Sequence, residues 1–245
     1  MSNTLFSQSA TCTHNSQVSC GNCRLNTLCL PVSLKADEMD QLDEIVQRRK
    51  PYQKGDTVYS AGEDFRAVFA VRSGSFKAAC VSNAGEEQVT GFFMPGEVFG
   101  VDGIAHNHYC NTLIALETSS ICEIPFERLE ALSSLLPSLQ HHFFKLMSRE
   151  ITQDQQLLTL LSKKSAEERV ATFLLSLSTR HHQRGLSALR FRLPMSRTDI
   201  GNYLGLTIET VSRSIGRLQK SGILTVSNKD IEILNPQELQ SISFQ

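Results

Sequence analysis

An α+β chain in three parts is what the sequence predicts: a jelly-roll β-barrel, one long helix, and a C-terminal helix-turn-helix domain. Three observations predict it. Between Asp56 and Ile124, short β-prone runs such as "AVFAV", "SFKAACV" and "EQVTGFF" alternate with the turn signals Ser73-Gly74, Asn83-Ala84-Gly85 and Pro95-Gly96; many short strands at close spacing mean a sandwich or jelly-roll barrel. After Pro137, the residues Leu139, Phe143, Met147, Ile151, Asp154, Leu158 and Leu161 advance by threes and fours, tracing one face of a helix of about seven turns. From Ser196 to Leu224, "SRTDIGNYLGLTIETVSRSIGRLQKSGIL" sets two short amphipathic helices on either side of Gly205, the pattern of a helix-turn-helix.

A length of 245 residues suits two domains of roughly 100–200 residues each. No stretch approaches the ~18 apolar residues of a membrane span, and the start lacks the basic-then-apolar pattern of a secretory leader. A cytoplasmic protein with no membrane contact is expected. Thiols there are kept reduced, so an odd total of seven cysteines does not read as a disulfide framework. Three of them crowd "SCGNCRLNTLCLP", residues 19–31, as Cys20, Cys23 and Cys29. Clustered thiols in a reducing compartment point to metal or redox chemistry. Spacing alone leaves both zinc and an iron–sulfur cluster open, although four-cysteine zinc sites usually show two CxxC knuckles and only one is present.

Residues 1–18, rich in Ser, Thr, Asn and Gln, are expected to stay disordered, with Cys12 and His14 no more than a spare ligand pair. In "LKADEMDQLDEIVQRR", Leu34, Met39, Leu42, Ile45 and Val46 fall at helical intervals, and the Pro-Tyr-Gln-Lys-Gly beyond should end that helix. The barrel follows, then the long helix, whose apolar seam suits a partner helix. "SAEE" at Ser165 to Glu168 reads as a capping box opening the next helix. The expected division is 1–31 for the tail and cysteine segment, 32–136 for the barrel, 137–162 for the long helix and 163–245 for the C-terminal domain.

The formal charge of -1 conceals a polarity. From Lys163 to Gly222 there are eleven Lys or Arg against four acids, and a basic domain attracts polyanions, nucleic acid first. Ser196 and Thr207 are placed to cap the two helices, with Ile200, Leu204, Ile208, Val211, Ile215 and Leu218 turned inward. That leaves Glu209, Ser212 and Arg213 together on the outer face of the turns that enter a major groove. Arg213 can donate two hydrogen bonds to guanine, Glu209 can accept from cytosine N4, and Ser212 can serve several bases. Arg197, Arg217 and Lys220 flank them as phosphate contacts. The competing reading makes these solvated charges, with Glu209 and Arg213 an i,i+4 ion pair.

Taken together, the cysteine segment and the runs "RSGSFKA", "GEEQVTGFF", "ALETSSICEIPFE", "LLSKKSAEER" and "IGNYLGLTIETVSR" resemble the CRP/FNR family of bacterial transcription regulators, most of all its oxygen-sensing branch. The resemblance covers nearly the whole chain after residue 18. It implies a cyclic-nucleotide-binding-like barrel, a dimerisation helix and a winged helix-turn-helix. It also implies an oxygen-labile [4Fe–4S] cluster held by Cys20, Cys23 and Cys29, with a fourth thiolate from Cys122 in "ICEIPF". Cys110 is the rival for that place, and nothing in the periodicity excludes it; Cys80, in a strand-like run, reads as a small buried hydrophobe. By the same resemblance, a homodimer would bind palindromic double-stranded DNA of TTGAT type upstream of genes for anaerobic respiration. The barrel turn "NAGEEQ" would then face RNA polymerase. Relatives that bind cyclic AMP hold its phosphate through a Gly-Glu followed by an Arg-Ser; here Gly96-Glu97 is followed by "NHYCNT", so no cyclic nucleotide is expected. Arg24 departs from the small uncharged residue usual after the second cysteine, and it is either solvated or close to the cluster.

Two other classes compete. A CRP-like activator with a structural zinc or a small-molecule effector keeps the fold and changes the signal. A cupin-type enzyme would use His106 and His108 as metal ligands, but the carboxylate and later-strand histidine that such a site needs do not follow, so no enzyme is expected. For the switch, Met147, Ile151, Asp154 and Leu158 are the expected dimer residues. Two copies of Asp154 meeting in the seam repel, so association is marginal, and a bound cluster tips it.

Overall fold

The computed structural model describes residues 19–81, 85 and 87–243. Cys12, His14 and the stretch expected to be disordered lie outside them, as do positions 83, 84 and 86 of the "NAGEEQ" turn. A short 3₁₀ turn, Leu30–Ser33, leads into α1, Ala36–Ile45. The helix stops before the expected Pro-Tyr-Gln-Lys-Gly. Val46 is already extended, and Gln47–Arg48 (β1) pair with the free edge of a later strand, whose unpaired ladder groups compete with another helical turn.

The barrel strands are β2 (Thr57–Tyr59), β3 (Ala67–Ser73), β4 (Phe76–Val81), β5 (Glu87–Phe93), β6 (Val98–Phe99), β7 (Thr112–Ala115) and β8 (Ser120–Pro125). With β1 they form two antiparallel sheets of four strands, ordered β1-β8-β3-β6 and β2-β7-β4-β5. Its interior is packed with rings: Tyr59 stacks on Tyr109 at 3.9 Å and on Phe69 at 5.5 Å, and Phe69 stacks on Phe99 at 5.4 Å. The run "AVFAV" is apolar at every position because both faces of β3 are buried. Ala67, Phe69 and Val71 point into the barrel, while Val68 and Ala70 join an outer core with Leu30, Leu42, Leu129 and Leu139. The cysteine segment packs onto that outer core.

Next come α2 (Phe126–Leu135), α3 (Pro137–Lys163) and α4 (Ala166–Gln183). The first turns of α3 are sealed, with Leu139 fully buried and Phe143 nearly so, but further along the same stripe Ile151 is 59 % exposed and Leu158 67 %. Ser165 caps α4 in the expected box, accepting from Glu168 N–H while Glu168 accepts from Ser165 N–H at 2.7 Å. The C-terminal domain adds β9 (Arg190–Arg192), α5 (Arg197–Leu204), α6 (Ile208–Lys220), β10 (Leu224–Ser227), β11 (Asp230–Ile233) and α7 (Pro236–Ser243), with the three strands ordered β10-β11-β9 as a wing.

The C-terminal domain leans on the barrel. Val89, Phe92 and Met94 of the β5 region share one core with α4, α5 and α6, and the Phe92 ring lies 5.2 Å from Tyr203 and 5.9 Å from Phe173. Lys77 Nζ pairs with Asp199 at 2.8 Å, Gln88 donates to the Asn202 carbonyl at 2.6 Å, and Arg180 and Arg184 both grip Glu97. The base of the "NAGEEQ" turn is therefore engaged with the C-terminal domain through Gln88, and Glu87 pairs with Lys77.

Candidate metal centre and nucleic-acid interface

Overlapping backbone turns wind the cysteine segment: Cys23 N–H bonds to the Cys20 carbonyl at 3.3 Å, Asn26 to Cys23 at 3.1 Å and Cys29 to Leu25 at 2.9 Å. This coiling brings Cys20, Cys23 and Cys29 to one cavity of about 40 Å³, and Cys122 lines it from β8. Apolar walls from Leu30, Leu42, Val46 and Ile124 enclose it, with Asn26 and Arg72 also in its lining. Burial above all raises the Cys20 and Cys122 thiols, and pushes Cys29 up to about 12. These thiols hold their protons until a strong cation arrives to displace them.

Four soft sulfur donors, with no imidazole among the described residues lining the cavity, fit an iron–sulfur cluster, and they fit zinc equally. Among the described residues, no trio of Cys, His, Asp and Glu stands at coordinating spacing. Gly21, Asn22 and Arg24 are exposed on the outer side of the segment.

The other two described cysteines are elsewhere. Cys110 is exposed, its N–H bonded to Asp102 Oδ2 at 3.1 Å, and it does not line the cavity. Cys80 is in β4 as expected but only half-buried. His106 and His108 are exposed, with rings stacked 5.7 Å apart; His106 lies in a turn and His108 in an isolated bridge to Asp64, neither on a barrel strand. Sequence reasoning missed Arg48 and Asp43, an ion pair against the cavity wall. An i,i+5 Asp–Arg spacing across a helix end carries no signal of its own.

In the helix-turn-helix, Ser196 accepts from Asp199 N–H at 3.0 Å and Thr207 accepts from Thr210 N–H at 3.2 Å. Gly205 sits at φ 61°, a left-handed conformation that glycine adopts without strain. A Cβ at Gly201 would meet the Leu206 carbonyl at 2.6 Å, so glycine there lets the turn close. The inward set needs one correction. Ile208 is 44 % exposed because Leu206, in the turn, packs against the core in its place, while Val211, Ile215 and Leu218 are buried as expected.

Glu209, Ser212, Arg213, Arg217 and Lys220 are all exposed on α6. Arg213 donates to Thr210 Oγ1 at 3.3 Å rather than pairing with Glu209, and Arg217 reaches Glu167 at 3.4 Å. Arg197 is half-buried at the start of α5, and its Nη1 is buried without a hydrogen-bond partner. On α3, Met147 is half-buried while Ile151, Asp154 and Leu158 are exposed. Between α3 and the barrel is a cavity of about 330 Å³ whose charged lining is wholly acidic: Asp102, Glu150 and Asp154. Burial first, then the nearby Asp154 charge, pushes Glu150 up to about 7.

Comparison with known proteins places both halves. Residues 168–242 match the family described as Crp-like helix-turn-helix domain, and residues 49–134 the cyclic nucleotide-binding domain. The transcriptional activator protein FnrA of Stutzerimonas stutzeri is 53 % identical over 219 residues, covering 89 % of this chain and 90 % of the relative. The transcriptional activator protein anr of Pseudomonas aeruginosa is 51 % identical, with 93 % of each chain covered. The fumarate and nitrate reduction regulatory protein of Escherichia coli is 48 % identical, covering 92 % of this chain and 90 % of the relative. Among solved structures, FixK2 from Bradyrhizobium japonicum superposes with a TM-score of 0.74 at 31 % identity, covering 81 % of this chain and 97 % of the other.

Proposed function

Because the chain belongs to the CRP/FNR family of dimeric DNA-binding transcription regulators, we propose that it is an oxygen-responsive one whose Cys20, Cys23, Cys29 and Cys122 hold a [4Fe–4S] cluster. One observation carries the reading: four thiols from two distant parts of the chain line a single cavity, and the rival Cys110 does not. The relatives named for fumarate and nitrate reduction support it. Bound there, a cluster would supply an oxygen-labile cross-link between the cysteine segment and β8.

The chain's own residues then carry the response. The 3₁₀ turn next to Cys29 packs on the start of α3, where Ser33 Oγ donates to the Ser138 carbonyl at 3.1 Å. Fixing the cysteine segment therefore fixes the helix that bears Met147, Ile151, Asp154 and Leu158. Dimerisation through that face presents two copies of α6 to half-sites about one helical turn apart on a TTGAT-type palindrome. Arg213, Glu209 and Ser212 read bases, and Arg197, Arg217 and Lys220 hold phosphates. The division of labour follows residues 1–31, 32–136, 137–162 and 163–245, with RNA polymerase contacted from the barrel in a cytoplasmic setting. This reading leaves cyclic nucleotide out as the signal, and the rings packed inside the barrel, the acidic cavity beside α3 and the two arginines on Glu97 support it.

The same four-sulfur donor set supports a second reading, one zinc ion. Anaerobic purification separates them. A straw-brown protein with acid-labile sulfide, dimeric and operator-bound until air is admitted, supports the cluster; a colourless protein holding one zinc and indifferent to air overturns it.

A further inference from the structure

We propose that the Arg48–Asp43 ion pair sets the electrostatics of the cysteine site, the Arg48 guanidinium offsetting the thiolates' negative charge and so slowing electron loss to dioxygen. The proposal rests on the cluster reading above. Arg48 stands directly opposite Cys122 in the β1–β8 register, and its Nη2 lies 3.9 Å from Cys20 Sγ. Its side chain is only 16 % exposed, and its Nε is buried without a hydrogen-bond partner. Asp43, in the last turn of α1, pairs with Arg48 and accepts from Cys20 N–H at 2.7 Å. One ion pair thus touches the first ligand's backbone and faces the strand of the fourth. Arg24, the cation adjacent in sequence, is exposed, and a second arginine, Arg72, lines the cavity and adds to the Arg48 charge at Cys122.

The sign follows from charge. Four thiolates around a [4Fe–4S]2+ core carry a net double negative charge. Giving one electron to dioxygen, which becomes superoxide, leaves a single negative charge. A fixed cation favours the more negative state, and a guanidinium stays charged at every working pH. Asp43 acts in the opposite sense. Arg48→Gln removes the cation and leaves the Asp43 carboxylate uncompensated beside Cys20, whereas Asp43→Asn keeps an acceptor for Cys20 N–H and leaves the guanidinium uncompensated. Since both groups are largely buried, salt screens the effect weakly.

The test uses full-length protein reconstituted anaerobically, matched for acid-labile sulfide, then followed by decay of its visible absorbance in air at low and high salt. Arg48→Gln should lose absorbance on the order of tenfold faster than wild type, Arg48→Lys within about twofold of wild type, and Asp43→Asn more slowly, with the order unchanged by salt. Arg24→Ser should match wild type. Equal rates in wild type, Arg48→Gln and Asp43→Asn would overturn the proposal while leaving the cluster intact. So would Arg48→Lys decaying as fast as Arg48→Gln, which would assign the effect to the shape of the guanidinium. Should Arg48→Gln fail to assemble a cluster, slower decay in Asp43→Asn with wild-type decay in Arg48→Lys supports the idea, and any other order ends it. A wild type without sulfide removes the cluster reading and the proposal together.

Discussion

Cys122 is far from the other thiols in the chain, and strand register alone delivers it to them: it faces Arg48 on one side and Ala70 on the other, with its side chain on the outer-core layer. Cys122→Ser should therefore abolish both the anaerobic absorbance and anaerobic dimerisation, while Cys110→Ser, exposed beside Asp102, spares both; sulfide assay and sedimentation read the pair. On α6, Arg213→Ala should cost about 1–3 kcal/mol at the operator and relax discrimination at one guanine, whereas Arg217→Ala weakens all sequences alike and flattens the salt slope. Equal losses on operator and random DNA for both variants, in a titration across salt concentrations, would show that the reading face is misassigned.

Among the elements, α3 changes character along its length, sealed at Leu139 and open at Ile151 and Leu158. On the proposed α3 dimer face and cluster reading, Asp154→Ala removes a like charge from the seam, so that variant should dimerise in air without a cluster, and Ile151→Ala should remain monomeric without oxygen; analytical ultracentrifugation decides both. Glu150 on the same helix adds a pH dependence. Its carboxyl is pushed up to about 7 from 4.5 in the folded chain, with Asp154, Glu97 and Asp102 facing it and Arg180 partly opposing them. The folded state therefore binds the extra proton, and that stabilisation is full below the unfolded value and lost as pH rises through about 7. Chemical denaturation of the apo protein should show stability falling by at most ~1.4 kcal/mol per pH unit across that window, and Glu150→Gln should flatten the slope.

Elements of this kind were largely legible beforehand. Caps such as Ser165 and Thr207 are local, and the α3 stripe is periodic. Three features were not. Ile208 looks inward by periodicity, but Leu206 fills its place through a turn that no period describes. Val46 belongs to the apolar stripe of α1, but the chain there has already turned to meet a strand edge whose position depends on the whole barrel. Arg48 and Asp43 face the thiols only because β1 pairs with β8, and such a long-range pairing leaves no mark in local composition.

For the molecule as a whole, the β5 region is the joint between signal and reading head. Phe92 is packed against both Phe173 and Tyr203, so Phe92→Ala should cost about 3–5 kcal/mol and split one calorimetric unfolding transition into two, while Gln88→Ala at the rim leaves a single transition. A persistent single transition in Phe92→Ala would mean that the barrel and C-terminal domain are coupled elsewhere, through Lys77–Asp199 or the Glu97 arginines. The half-open face of α3 reaches furthest. A dimer made through a weak, exposed stripe obeys mass action, so the amount of this protein in a cell is itself part of its calibration. On the oxygen-responsive reading proposed above, doubling the gene dosage would populate the DNA-bound pair at a higher oxygen level, and a cell that adjusts expression of the regulator would reset the threshold at which it begins to live without air.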